Sequence, residues 1–428
     1  MLDIKQIRDN PGFVKEKLIL RNEYESAANI DRIMKADKDR LELIKKGETL
    51  KQLRNKVSEE IAILKKNKEN TDDKIAEMKK VSDEIKNIDE NLRNIEKEIG
   101  IILFYIPNLP ADNVPVGKTP EDNIIIKSVG KKSEFNFKPS DHIELSKRHN
   151  IIDFERGAKI SGSGFPLYKG KGAMLERALI NYMLDEHIRK GYKEVLTPVI
   201  VNRASMEAAE KVPKFEDDMY RIDPDDLFAI PTAEVSIINI HRDETFNEEE
   251  LPVKYCGYTN CFRREAGSYG KDTRGLLRIH QFNKVELITF CRSEESYKIM
   301  EEMLDDACSI LDGLEIHYRV IELCTGDLGF AASKCYDIEC WAPAEEKWLE
   351  VSSISNCTDF QARRGRIKYK KPVTHHSSRV TNYVHILNGS GLATPRLMVA
   401  LLESNQTESG SIIIPPVLRK YTGFNVIE

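Results

Sequence analysis

The sequence predicts an α+β chain in two parts: a long antiparallel α-helical coiled-coil hairpin, then a larger region in which helices alternate with short β-rich runs. Three observations carry that expectation. Residues 30–103 contain no proline, are dominated by charge and hold only two glycines, Gly47 and Gly100. Within them Met78, Val81, Ile85, Ile88, Leu92, Ile95, Ile99 and Ile102 recur in alternating steps of three and four, the seam of a coiled coil. The stretch IPNLPADNVPVG then interrupts with three prolines, and β-rich runs follow.

The first limb of the hairpin repeats Leu50, Leu53, Val57, Ile61 and Leu64, and KKNKENTDD (65–73) is too polar to continue a seam. The chain therefore turns near 67–72, and some 30 residues per limb make an arm of roughly 45 Å at 1.5 Å per residue. Residues 45–68 carry eight basic against three acidic side chains; residues 69–100 carry six against ten. Two readings follow: complementary helices pairing their flanks, or an outward basic face touching RNA phosphate. The expected division is a helical domain at 1–105, a linker at 106–117 and a second domain at 118–428.

Composition narrows the class. A length of 428 residues allows two or three domains. No apolar run approaches the roughly 20 residues of a membrane span, and MLDIKQIRDN has acids where a signal peptide has an apolar core. Eight cysteines without a CxxC fit a reducing, cytoplasmic setting. The five-residue steps Cys256/Cys261 and Cys335/Cys340 leave zinc conceivable, although buried, inert thiols fit the spacing better. The net charge of −5 speaks against a wholly basic nucleic-acid binder and leaves room for a local basic surface. No GxxxxGK[ST] or GxGxxG is present. GSGFPLYKGKGAM (162–174) lacks the P-loop ending and reads as a loop into a helix over 171–190.

The chemistry concentrates in CFRREAGSYGKDTRGLLRIHQFNKVEL (261–287). If 255–265 is a strand, Arg263 and Glu265 share one face and Arg264 takes the other. Over 279–290, alternation puts His280, Phe282, Lys284 and Glu286 on one face, with Val285 and Leu287 free to pack. Such a surface offers a guanidinium for phosphate, a ring for a base and carboxylates for amino groups. A solvated hairpin with cross-strand ion pairs would look similar. Three further segments favour the site. FAIPTAEVSI (228–237) is an apolar strand broken by Pro231, Thr232 and Glu234. KWLEVSSISNCTDFQARR (347–364) alternates Leu349 and Val351 inward with Glu350 and Ser352 outward. HILNGSGLATPRLMVALLE (385–403) is a strand and glycine turn feeding a helix with Arg396 in its first turn, where the dipole favours anions.

With those segments in order, the whole chain closely resembles the seryl-tRNA synthetases, the serine branch of the class II aminoacyl-tRNA synthetases. FRREAGSYGKDTRGLLRIHQFNKVEL is similar to the second class II motif, and GSGLATPRLMVALLE to the third. GYKEVLTPVIVNRASM (191–206) is similar to the first, with Pro198 as the proline of a dimer interface. TAE and LEVSSISNCTDFQARR resemble segments particular to the serine enzyme.

The resemblance implies a class II catalytic domain built on a mostly antiparallel β-sheet flanked by helices. It implies ATP and Mg²⁺ as cofactors, L-serine and tRNA(Ser) as partners, a homodimer, and a coiled-coil arm that grips the tRNA. Charging of tRNA(Sec) is left open. Arg263 and Arg396 are the implied catalytic pair. The implied ATP set is Arg263, Arg264, Glu265, Ile279, His280, Gln281, Phe282, Glu350, Val351, Ser352, Ser353 and Arg396, with Arg264 on the outward face. The implied serine set is Thr232, Ala233, Glu234, Arg263, Glu286, Asn388 and Ser390, and the implied metal ligands are Glu350 and Ser353. Simple alternation sets Glu350 beside Ser352 instead. The segment KKPVTHHSSRVTNYVH (370–385) is longer and more polar than the family pattern. Two other functions differ in class. A synthetase-like ligase charging a carrier protein would lack the arm, and a non-catalytic paralogue could have lost Arg263, Glu265, Glu350 or Arg396.

Overall fold

Proline and side-chain caps start the N-terminal helices. Helix α1 (Ile4–Asp9) begins where the Asp3 side chain accepts from the Lys5 N–H. Helix α2 (Pro11–Leu20) begins at Asn10, whose side chain accepts from the Phe13 N–H. Both pack on α3 (Tyr24–Lys66), which is joined through the polar turn to α4 (Asp72–Tyr105). The computed structural model describes residues 1–266, 274–371 and 381–428. They form two compact units, Met1–Pro107 and Asn108–Glu428. The loop residues Gly267, Gly270, Lys271 and Asp272, and most of the unusual 370–385 segment, lie outside the described residues. No described helix is long and apolar enough to cross a membrane.

The hairpin seam follows the predicted period on α4, where Met78, Val81, Ile85, Ile88, Ile99 and Ile102 are buried. Leu50, Val57 and Ile61 of α3 pack against its upper part. Leu53 does not: it is 40% exposed, and half-buried Arg54 occupies the seam position. The period on α3 therefore runs Gly47, Leu50, Arg54, Val57, Ile61, Leu64, a regular alternation of three and four that a polar residue hides. Gly47 permits close approach, since a Cβ there would lie 3.3 Å from Ile88 Cγ2. The helices, 43 and 34 residues long, exceed the expected limbs because α3 continues back to Tyr24, under α1 and α2.

Flank charges divide between the two readings. Lys46 pairs with Glu84 at 2.6 Å, Lys51 with Asp89 at 2.9 Å and Lys74 with Glu60 at 2.6 Å across the hairpin. Lys45, Lys56, Lys65, Lys66 and Lys68 are exposed and make no ion pair within 4 Å among the described residues.

In the second unit eight strands form the main sheet. They are β1 (Ile124–Val129), β2 (Lys193–Glu194), β3 (Val253–Phe262), β4 (Gln281–Cys291), β5 (Tyr318–Glu322), β6 (Lys334–Ala342), β7 (Lys347–Asn356) and β8 (His385–Ala393). Their order is β1-β5-β6-β7-β8-β4-β3-β2, antiparallel throughout except for the β2–β3 pair. This is the mainly antiparallel, helix-flanked sheet that the resemblance implies. Helices α5 (Lys171–Arg189), α6 (Ser296–Gly313) and α7 (Thr394–Ser404) share the large apolar core with Val285, Leu287, Ile338, Val351 and Ile354 of the sheet. All eight cysteines are free and buried. Burial pushes the Cys256 and Cys291 thiols up to about 12 and that of Cys308 to about 11.

One buried charge ties the N-terminal helices together. Asp37 of α3 accepts from Arg8 of α1 at 2.6 and 3.2 Å and from Arg40 at 2.9 and 3.0 Å. Burial works to raise its carboxyl, but the two guanidiniums outweigh it and hold the group below its ordinary value. Asp37→Ala should cost about 2–3 kcal/mol, since Arg8 and Arg40 lose a charged acceptor. The wild-type contribution is fully present above the unfolded value of about 4 and is lost as pH falls through the depressed folded value. Both tryptophans, Trp341 and Trp348, lie in the second unit. The variant should therefore lower the melting transition seen by far-ultraviolet circular dichroism, with tryptophan fluorescence reporting the second unit separately.

Candidate active site

Away from the α5–α7 core, the sheet floors a cavity of about 750 Å³, within the range of ligand sites. Two irregularities in strand register shape it. Opposite β6, Ile338 pairs with Ser352 but Glu339 pairs with Glu350, so Val351 is an extra residue. That bulge flips the alternation: Leu349, Val351 and then Ile354 join the core, and Glu350, Ser353 and Ser355 line the cavity, which Val351 and Ser352 also border. The expectation that Glu350 sits beside Ser352 is thereby corrected; Ser352 is buried and its hydroxyl donates to the Ser390 carbonyl at 2.6 Å. A second shift, between Lys284 and Glu286 on β4, leaves Gly391 and Leu392 opposite Val285 and sets Ser390 across from Glu286.

One end of the cavity is cationic and aromatic. Arg263 follows β3, donates from Nε to the Pro231 carbonyl at 3.3 Å and lies 5.0 Å from the Phe282 ring centre. Arg396, in the first turn of α7, donates to the Leu277 carbonyl at 3.2 Å and meets the Glu350 carboxylate at 3.3 Å. Glu265 accepts from Arg278 at 2.6 Å. Ile279 lines the same end. Behind Ser353, the Asp337 carboxyl is raised to about 8 by burial and by the nearby Glu350 charge.

The other end is a buried polar network. Thr232 donates to Glu286 at 3.0 Å, and Glu286 touches Lys284 directly. Glu234 accepts from Gln361 at 2.6 Å, from Asn388 at 3.0 Å and from Lys211 at 3.1 Å. Gln361 also donates to Glu210, which pairs with Lys211 at 3.1 Å. Burial works to raise Glu234, but Lys211, Gln361 and Lys284 together more than offset it and the carboxyl lies below its ordinary value. Burial prevails at Glu286 and Glu210, which are raised.

Four residues expected at the site are elsewhere. Arg264 donates to the Asp217 carbonyl at 2.9 Å, outside the cavity. His280 precedes β4 and turns away: its Nδ1 lies 2.9 Å from the Arg263 carbonyl, and its ring stacks on Phe165 at 5.3 Å. Gln281 faces solvent and donates to Asn260. Ala233 packs into an apolar cluster with Ile237 and Ile288. Conversely, Arg278, Lys211 and Gln361 were missed. Arg278 lies inside the charged 261–287 stretch and could have been found there. Lys211 and Gln361 are brought in by the fold from distant positions, with no local periodicity to mark them.

The first 110 residues match the family model described as seryl-tRNA synthetase N-terminal domain, and residues 214–405 match the tRNA synthetase class II core domain (G, H, P, S and T). The chain is 53% identical to a serine–tRNA ligase of Chloroherpeton thalassium, the alignment covering 100% of both. It belongs to the seryl-tRNA synthetase family. Another member, the serine–tRNA ligase of Thermodesulfovibrio yellowstonii, is 48% identical, again over 100% of both chains. The crystal structure of seryl-tRNA synthetase from Pyrococcus horikoshii complexed with ATP superposes with a TM-score of 0.94 at 39% identity, covering 100% of this chain and 99% of that one.

Members of this family are ATP-dependent ligases, and the adjacent arginines 263 and 264 make a matched pair of probes. Arg263→Ala should lower ATP–pyrophosphate exchange by about a hundredfold or more, because Arg278 and Arg396 are held by Glu265 and by Leu277 and Glu350, and no nearby lysine can copy a planar fork. Arg264→Ala should stay within a few-fold. Near-normal exchange in Arg263→Ala would remove it from the chemistry.

Proposed function

We propose that the cavity activates L-serine with ATP and passes the seryl group to the 3′ end of tRNA(Ser). The observation that carries this reading is the union, in one cavity, of an arginine–phenylalanine end with a buried carboxylate pocket. Arg263 and Phe282 suit the α-phosphate and adenine, with Glu265 taking the adenine amino group and Arg396 facing the γ-phosphate. In the pocket, Thr232, Glu234, Glu286, Asn388 and Ser390 surround a small polar substrate. Lys211 and Lys284 offset the pocket's charge, so that one ammonium group is accommodated without leaving an unpaired ion.

The serine carboxylate attacks the α-phosphorus in line and pyrophosphate leaves. No general base is required, and the chain contributes positioning and charge neutralisation. Glu350 and Ser353 present hard oxygen donors on one face of the cavity, a set suited to Mg²⁺. When bound there, the ion would neutralise phosphate charge. Pairing the substrate hydroxyl lets such a site reject alanine by about 10⁴–10⁵, whereas threonine must be excluded by size.

The five exposed lysines of the first limb and the turn after it fit a phosphate-touching role for the arm on tRNA. Leu196 is 87% exposed and Ile200 40%, both beside Pro198, which fits a homodimer. The free, buried thiols fit a cytoplasmic location.

Serine-dependent ATP–pyrophosphate exchange tests the reading; its absence with active, folded protein overturns it. Glu286→Ala should raise the KM for serine at least tenfold while that for ATP changes far less. A change confined to ATP would reassign the pocket. Replacing Lys45, Lys56, Lys65, Lys66 and Lys68 with Ala should leave exchange intact and weaken tRNA charging. The log–log salt slope of tRNA binding should fall by about 0.7–0.9 for each phosphate that the arm no longer neutralises.

A further inference from the structure

His142 is wholly buried outside the cavity, at the start of the helix His142–Arg148. Its Nδ1 lies 3.2 Å from Oε1 of Glu403, and that same oxygen accepts from the His142 backbone N–H at 3.1 Å. The other carboxylate oxygen accepts from the Ala344 and Glu345 N–H groups, at 3.0 and 3.3 Å, in the turn between β6 and β7. A carboxylate surrounded by donors only accepts, so Nδ1 carries the ring proton and Nε2 is left as an acceptor. The Leu276 N–H donates to Nε2 at 3.2 Å.

The donor atoms of His142, Glu345 and Glu403 lie within 4.8 Å of one another. Both ring nitrogens and both Glu403 oxygens are nevertheless spent on hydrogen bonds, which makes the cluster a clamp and not a metal centre. Gly275 is fitted to it: φ is +60°, and a Cβ there would lie 2.1 Å from His142 Nε2.

The clamp closes a ring of contacts on the cavity. Leu276 leads to Leu277, whose carbonyl accepts from Arg396, and Arg396 lies two turns before Glu403 on α7. The route runs from α7 through Glu403, His142, Leu276 and Leu277 and back to α7 at Arg396. We propose that His142, held by Glu403, is a positioning residue for the nucleotide. It fixes the cavity-lining segment 276–279 and with it the direction of the Arg396 guanidinium, without touching substrate. This rests on reading the Arg263–Arg396 end as the ATP end.

The test is ATP–pyrophosphate exchange by the full-length chain, with ATP and serine varied separately, in His142→Ala and His142→Gln. His142→Ala should lower kcat/KM for ATP by about tenfold to a hundredfold, while the KM for serine stays within about twofold. His142→Gln, whose amide oxygen can accept from Leu276, should recover most of that loss. Amide hydrogen exchange over 276–279 should accelerate in the alanine variant and return toward wild type in the glutamine one. Equal losses for both substrates, unchanged amide exchange, or a folded glutamine variant no better than alanine would each overturn the proposal. Should His142→Ala not fold, Glu403→Gln decides on the same criteria, because its amide NH₂ meets donors. Wild-type exchange is the separate control: if it is absent, the reading of the ATP end fails, not the clamp alone.

Discussion

Three carboxylates, Glu210, Glu234 and Glu286, are buried at the inner end of the cavity, and the catalytic unit depends on their compensation. An isolated buried carboxylate would take up a proton or unfold its surroundings. Lys211 serves Glu210 and Glu234, Lys284 serves Glu286, and Gln361 bridges the first two. The elements carrying these groups are far apart in sequence, so their pairing fixes where segment 210–211, the break at 231–234, strand β4 and the 360–365 helix meet. Polar recognition and tertiary architecture are thus one arrangement. Buried polar groups of this kind must satisfy one another within the fold.

The sheet supplies the complementary constraint. Its strands alternate strictly enough that one face packs on α5–α7 and the other lines the cavity, and two bulges adjust that alternation where the chemistry lies. One brings Glu350 and Ser353 to the same side; the other brings Ser390 opposite Glu286. Each places a polar side chain that an uninterrupted strand would have turned into the core or away from its partner.

This division explains what could be read in the sequence. The long helices, the α4 seam and the even face of β4 at Phe282, Lys284 and Glu286 were legible because a single local period determines each. The same rule failed at Ser353 because Val351 breaks the period, and at His280 because that residue stands before the strand begins. Leu53 was misplaced because Arg54, a polar residue in a seam position, masks the register that Gly47 and Leu50 begin. Lys211, Gln361 and His142 carried no local signal. They act through neighbours that only the folded chain supplies, and resemblance to a family directs attention to ligand contacts more than to the residues behind them.

The interior placement of every cysteine has a practical consequence for studying the arm. A thiol introduced at an exposed α3 position near the polar turn would compete for reagents only with native thiols that solvent does not reach. A single spectroscopic label could then be attached at neutral pH without first stripping cysteines from the core. Distances from the arm to a labelled tRNA would become measurable in a chain whose catalytic unit is otherwise untouched.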